Sequence, residues 1–310
     1  MSSQRSQRAQ RSRHTWFPEH SQPSADSRIP ADPPRPGQSP YSGASSSPAG
    51  GPHESGQNFL VDRSVIGAIE DVVAGTSGPI VELAAGDGAV TLPLSRSGRP
   101  ITAVELDARR ARRLRARAPE HVAVLNTDAL RFRIPRDPHV LVGNVPFHLT
   151  TAVLKRVLAA RGWTTAILLV QWEVARRRAG VGGATMLTAQ WWPWYEFRLL
   201  QRVPARSFRP VPSVDGGLLT ATRRTTPLVD DCEPYQRFVK EVFNGRGRGV
   251  REILARTGRI QRSALGEWSR EQQVSPQALP KDLTAQQWAS LWPRTSGAGR
   301  PRPGGARKSR

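Results

Sequence analysis

The chain is nearly without cysteine. Cys232 is the only one in 310 residues, which excludes an internal disulfide and any cysteine-rich zinc site. With no Cys or His near it in sequence, it reads as a spectator thiol. Lysine is scarce too: Lys155, Lys240, Lys281 and Lys308 are four of 46 basic residues, against 25 acidic ones. A GC-rich genome would favour arginine codons, but the formal charge of +21 and pI near 11.6 stand regardless. That excess is the electrostatic footprint of a polyanionic partner, nucleic acid first. No apolar run approaches the roughly 20 residues that cross a bilayer, and no signal-peptide core is present. The expectation is a soluble, cytoplasmic protein without a membrane partner. Two nucleotide fingerprints are also missing, Gly-x-Gly-x-x-Gly and the Gly-Lys-Ser/Thr of a P-loop.

What is there falls into four parts. Residues 1–55 and 294–310 are rich in Pro, Gly, Ser and Arg and poor in large aliphatics. They cannot bury enough apolar surface to offset chain entropy, so both are expected to be disordered basic tails. The N-terminal one reads as an RNA tether, with an organellar transit peptide as the alternative. Residues 56–226 alternate strands and helices. The spacing of Val65, Ile66, Ile69, Val72 and Val73 predicts a helix over 63–73. Strands follow at Ile80–Leu83, Ile101–Val104, Val122–Leu125, His139–Gly143, Thr165–Val170, Phe197–Val203 and Gly216–Arg223, with helices expected at 89–96, 109–117, 150–158 and from Thr185 past the Trp191–Tyr195 block. Four strands alternating with helices, each ending in polar residues, predict a doubly wound, mainly parallel α/β sheet that binds its ligand at the C-terminal strand edge. Residues 227–293, with Tyr235, Phe238, Val239, Val242 and Phe243 at helical spacing, predict a small all-α domain. Trp191-Trp192-Pro193-Trp194-Tyr195 reads as a packing cluster before a base-stacking platform.

The chemistry concentrates at strand exits. After Ile80–Leu83 the chain runs through Ala84-Ala85-Gly86-Asp87-Gly88, small residues that let a ligand approach the backbone, with free helix amides behind. Glu82 precedes this loop, and Glu105 lies about twenty residues on, where a ribose hydroxyl pair is gripped. Carboxylates there repel phosphate and welcome a cation, which points to S-adenosylmethionine, with Asp128 placed to accept from its adenine amino group. The arginine run 109–117 is either a solvated face or a phosphate contact. At the fourth strand exit stands Asn144-Val145-Pro146-Phe147. Asn144 supplies a side-chain carbonyl, Pro146 fixes the backbone so that a carbonyl beside it points one way, and Phe147 supplies a stacking face. An ordinary turn is the competing reading of those four residues.

Six ordered motifs carry a resemblance that decides between them. They are Gln57-Asn58-Phe59-Leu60, Glu82 to Gly88, Glu105-Leu106-Asp107, Asp128-Ala129, Asn144 to Thr151, and Phe208 to Asp215. Together they resemble the rRNA adenine-N6 dimethyltransferases, and Thr185 to Phe197 resembles the macrolide-resistance (Erm) branch, particularly its actinobacterial members. The resemblance implies a Rossmann-like methyltransferase domain, S-adenosylmethionine as cofactor, no metal, and methylation of one adenine of 23S rRNA at the macrolide site by a monomer acting before ribosome assembly is complete. It implies a cofactor pocket of Asn58, Leu60, Glu82, Ala84, Gly86, Glu105, Leu106, Asp128, Ala129 and Asn144. Asn144 and Pro146 then serve the chemistry, while Phe147 and Phe208 hold the flipped-out base. Ala84 departs from the family's usual glycine. The alternatives are a 16S rRNA dimethyltransferase and a non-catalytic nucleic-acid-binding relative.

Overall fold

The computed structural model describes residues 58–295. The tails expected at 1–55 and 294–310 lie outside these residues, except for Arg294 and Thr295. The chain begins with β1 (Phe59–Leu60) and α1 (Arg63–Ala74). Asp62 caps α1 by accepting from the Ser64 amide, and Val65, Ile69 and Val73, four apart, form its buried stripe. Next come β2 (Ile80–Leu83), α2 (Thr91–Ser95), β3 (Ile101–Glu105), α3 (Ala108–Arg115), β4 (Val122–Asn126), β5 (His139–Asn144), α4 (Thr150–Ala159) and β6 (Trp163–Gln171). The chain continues through α5 (Trp172–Arg178), α6 (Met186–Trp191), β7 (Tyr195–Val203), β8 (Phe208–Arg209) and β9 (Gly216–Arg223). Four helices close it: α7 (Cys232–Asn244), α8 (Val250–Thr257), α9 (Arg262–Glu271) and α10 (Ala285–Leu291).

Seven strands form one sheet in the order β4-β3-β2-β5-β6-β9-β7, with β1 and β8 pairing separately. Pairings from β4 to β6 are parallel, and β9 joins β6 and β7 antiparallel. This is the mainly parallel, doubly wound sheet expected. Side chains alternate between its two faces: Ile80 joins the core formed with α1, α2 and α3, while Val81 and Leu83 join the core formed with α4 and α5. Coverage on both faces explains why β2 is buried at all four positions. Each such aliphatic contributes about 1.5–3 kcal/mol by leaving water.

Three expectations are corrected. No helix joins β4 to β5; residues 127–138 are turns and irregular chain, because Pro135 and Pro138 lack the amides a helix needs. The helix expected at 89–96 is confined to Thr91–Ser95, since Gly86 and Gly88 hold positive φ and keep the chain turning. Finally, α6 stops at Trp191 rather than passing through the aromatic block, because Pro193 cannot continue it.

That block is mortar. Tyr195 stacks on Trp163 at 4.6 Å inside the sheet core. Trp192 and Trp194 pack against both that core and the core of α7–α10. Tyr235, fully buried on α7, meets Trp194 edge-on at 5.7 Å and donates its hydroxyl to the Ala189 carbonyl at 3.0 Å. The helical segment is thus seated on α6 and the antiparallel side of the sheet. Among the described residues, no helix is long and apolar enough to cross a membrane.

Candidate active site

Parallel strands all deliver their C-terminal ends to one edge, so the exits of β2, β3, β4 and β5 converge there. The β2 exit turns sharply: Ala84, Gly86 and Gly88 have φ of 59°, 58° and 88°. At Gly88 a methyl group would meet the Leu114 side chain at 2.4 Å, so glycine is required for helix-to-loop packing as well as for φ. Ala84 adopts the left-handed region with a Cβ, a strain of about 1–2 kcal/mol.

Glu105 ends β3 buried, and its two oxygens accept from the backbone amides of Gly86 at 2.7 Å and Asp107 at 2.8 Å. The carboxylate is therefore aimed by the backbone of both neighbouring loops. Asn126 at the β4 exit donates to the carbonyls of Glu105 and Leu106 at 3.0 and 2.8 Å, fixing the path between them. Asp128 uses one oxygen to accept from the Leu130 amide at 2.8 Å. A cavity of about 520 Å³ opens between these exits, lined by Ala84, Glu105, Leu106, Asp128, Ala129 and Pro146, together with His148, Leu149 and Val153. That volume suits a nucleoside-sized ligand.

Two narrow cavities of about 30 and 60 Å³ continue past Ala84. Asn58, Gly86, Asn144 and Phe147 line the first, and Leu60, Glu82, Gly86 and Asn144 the second. Every residue singled out from the sequence except Phe208 therefore lines one of the three cavities, and Ala84 lines all of them.

Glu82 behaves differently from the fixed negative charge expected of it. It is buried, accepts from the Thr91 hydroxyl at 2.5 Å, and has no cationic side chain within ion-pair distance among the described residues. Burial pushes its pKa to about 8, with Glu105 adding to the shift. It is therefore mostly protonated at neutral pH until a cation lies beside it. A buried carboxyl held by one hydroxyl, at the end of an apolar cavity whose mouth carries Glu105 and Asp128, fits a ligand with a nucleoside at one end and a positive charge at the other. S-adenosylmethionine has that chemistry.

At the β5 exit the Asn144 amide nitrogen donates to the Asn58 carbonyl at 2.9 Å. This contact assigns the amide orientation and leaves Oδ1 for a ligand. The Pro146 carbonyl accepts from the Leu149 amide at 2.9 Å, closing the short turn Phe147–Leu149. No N–H donates to the Val145 carbonyl among the described residues. Val145 precedes a proline and is held extended, so its carbonyl is the free, oriented acceptor of the motif.

Phe147 is half-buried, whereas Phe208 is fully buried in the core with α1. Their rings meet edge-on, 6.1 Å apart. Phe208 thus presents no open face to a base, contrary to the expectation that both rings hold it. Gly216 packs close behind it: an added methyl group would stand 3.0 Å from the ring, tight enough that the ring would have to shift.

Sequence reasoning missed Thr91, Phe59 and Arg110. Thr91 had no signal. Phe59 was quoted in a motif without a role, and Arg110 was lost among its neighbours. Of the arginines on and just after α3, Arg115 and Arg117 donate to backbone carbonyls, Arg110 pairs with Asp87, and the more exposed Arg113 reaches the same carboxylate at 3.7 Å.

Comparison with known proteins places the chain in a family. Residues 52–295 match the ribosomal RNA adenine dimethylase family. The mycinamicin-resistance protein MyrB of Micromonospora griseorubida is 54% identical over 246 residues, 78% of each chain. An rRNA adenine N-6-methyltransferase of Corynebacterium diphtheriae is 52% identical over 211 residues, 67% of this chain and 83% of its own. The crystal structure of the 23S rRNA methyltransferase ErmE superposes with a TM-score of 0.71 at 31% identity, covering 77% of this chain and 99% of that one. With a family match spanning the whole described region and a cleft that fits its methyl donor, this chain belongs to the ribosomal RNA adenine dimethylase family.

Proposed function

We propose that this protein methylates N6 of one adenine in 23S rRNA at the macrolide site, so that its host resists macrolides, lincosamides and streptogramin B. The observation that carries the chemistry is the Asn144 side chain, oriented by the Asn58 carbonyl so that its oxygen faces the junction of the cofactor cavities and Phe147. The choice of RNA rests on the named activities of the relatives.

When bound, S-adenosylmethionine supplies an electrophilic methyl group on a sulfonium. The main cavity would hold its adenosine through Glu105, Leu106, Asp128 and Ala129, and the narrow ones its amino-acid end through Asn58, Leu60, Glu82, Ala84, Gly86 and Asn144. The rest is the work of the protein's own groups on the adenine amine, a weak nucleophile whose lone pair is delocalised into the ring. Asn144 Oδ1 and the Val145 carbonyl accept its two hydrogens, drawing the nitrogen towards tetrahedral geometry and localising the lone pair. Pro146 holds the second acceptor in place. Positioning then supplies much of the rate. Phe147 stacks on the base, which must leave its own stack to arrive, stabilising it by about 1–3 kcal/mol. Phe208 acts through Phe147, bracing its ring from behind.

Residues 227–293 serve in this reading as an RNA-contact domain on a cytoplasmic monomer, and the basic tails as tethers. Expression in a macrolide-sensitive bacterium, followed by primer extension on both rRNAs, tests the proposal. The expected result is a new stop in the peptidyl-transferase region of 23S rRNA with raised macrolide resistance. A stop in 16S rRNA alone overturns it in favour of a small-subunit enzyme.

A further inference from the structure

Residues 58–60 cross the loop at the end of β2, and Phe59 lines both narrow cavities. This strap is tied to the molecule at several points. Asn58 accepts from Asn144, β1 pairs with β8, the Val61 amide donates to the Ser207 carbonyl at 2.9 Å, and the Ser207 hydroxyl donates to Asp62 at 2.7 Å. The Phe59 ring itself lies against Gly86, where an added methyl group would stand 3.3 Å from it. Over that ring sits the guanidinium of Arg110, 3.9 Å from the centroid, and the same side chain pairs with Asp87. Arg110 thus joins the strap, the β2 loop and α3. It does so from the first turn of α3, where the helix dipole disfavours a cation, so helix stability does not explain an arginine there.

The cavities under the strap are small. At about 30 and 60 Å³ they have room for at most a few waters, far below the roughly 300–1,000 Å³ of a ligand pocket. In this closed arrangement they are too small for an amino-acid-sized group, and Phe59 is among the side chains that line both. We propose that Arg110 is a positioning residue that latches the 58–60 strap across the cofactor cleft, so that cofactor entry and product release proceed by breaking and remaking the Arg110–Phe59–Asp87 contact. This rests on the reading of the cleft as a site for S-adenosylmethionine.

The test uses the full chain with S-adenosylhomocysteine as probe, following its dissociation by stopped flow, its affinity by calorimetry and the Val61 amide by hydrogen exchange. Arg110→Ala should speed dissociation about three- to tenfold and raise exchange at Val61 by a similar factor. Arg110→Lys keeps a cation for Asp87 and loses the planar stack, and should fall between the two. Should Arg110→Ala not fold, the lysine variant carries the same comparison. Combining Arg110→Ala with Phe59→Leu should speed probe dissociation by less than the product of the single effects, because either change alone opens the latch; a purely structural arginine would lower the denaturation midpoint and leave probe dissociation at the parent rate. If the parent binds the probe and dissociation and Val61 exchange in the variants stay within twofold of it, the latch is overturned and the cleft assignment survives. If the parent does not bind the probe at all, the cleft assignment falls and the latch with it.

Discussion

The two sides of the sheet are held together by different means. On the parallel side, from β4 to β5, strand exits are tied by polar contacts: the Glu105 carboxylate to two loop amides, Asn126 to two carbonyls, Asn144 to Asn58. On the antiparallel side, an aromatic joint lies beside β7, in which Trp194, Tyr235 of α7 and Trp292 meet edge-on. Hydrogen bonds have direction and hold groups at set angles, which a methyl-transfer site needs. Hydrophobic burial is non-directional and scales with area, which a domain joint needs. The site is where the protein accepts local costs, a strained Ala84 and a buried Glu82. The joint is where stability is gathered.

Changes on each side should therefore separate stability from chemistry. The largest effect on folding is expected from Tyr235→Ala, which empties a ring-sized space and strands the Ala189 carbonyl. It should cost about 3–5 kcal/mol, seen as a lower denaturation midpoint, while the affinity of the surviving folded protein for S-adenosylhomocysteine stays within a few-fold. A large loss of affinity at full stability would break the comparison.

Asn144→Ala should do the reverse. Loss of one oriented polar contact to the reacting group is expected to lower kcat by about 10²–10³, with thermal stability little changed and cofactor affinity reduced far less. Unchanged turnover would remove Asn144 from the chemistry.

A smaller effect follows from Glu82. Its pKa is raised to about 8 by burial, so in the protein without ligand this group contributes stability that is full below the ordinary value of 4.5 and is lost as pH rises to 8. A cation beside it favours the ionised form, so affinity for S-adenosylmethionine should rise with pH from about 6 to about 7, below the point where the ligand's own α-amino group, at about 7.7–8.0, loses its charge. Calorimetry across that range should show the rise in the parent and a flat profile in Glu82→Gln.

The smallest effect belongs to Ala84→Gly. Relief of about 1–2 kcal/mol of left-handed strain is offset in part by the greater freedom of glycine in the unfolded chain. Stability should change by under about 1 kcal/mol. With the methyl group gone from the point where the three cavities meet, S-adenosylhomocysteine should bind a few-fold tighter. Weaker binding would mean that Ala84 is accommodated without cost.

Much of the fold was legible because local pattern suffices for it. β9 spans the expected Gly216–Arg223, and α1 covers its apolar spacing almost to the residue. Where the pattern misled, proline and glycine overrode it, at 127–138, at 86–90 and at Pro193. The site was legible in outline, since parallel strands place all their exits on one edge, so motifs at successive exits meet there. By itself the sequence therefore determined the mainly parallel, doubly wound class of the sheet and the family, and it named the residues from Glu82 to Phe147 that line the cavities at the strand exits.

Only the tertiary structure decided which groups are free to act. Burial and partnership depend on residues far apart in the chain: Asn144 is oriented across 86 positions by Asn58, and Ser207 reaches Asp62 across 145. The Glu82 pKa is raised because the packed chain removed its water and, among the described residues, placed no cation beside it. Phe208 is withdrawn from any open stacking position because the core closed over it. Arg110 was singled out from its neighbours because its place on α3 brings the guanidinium over Phe59 as well as to Asp87, whereas Ala111 and Leu114 turn into the core. Charge, face and accessibility are properties of surroundings, and the chain acquires surroundings only when it folds.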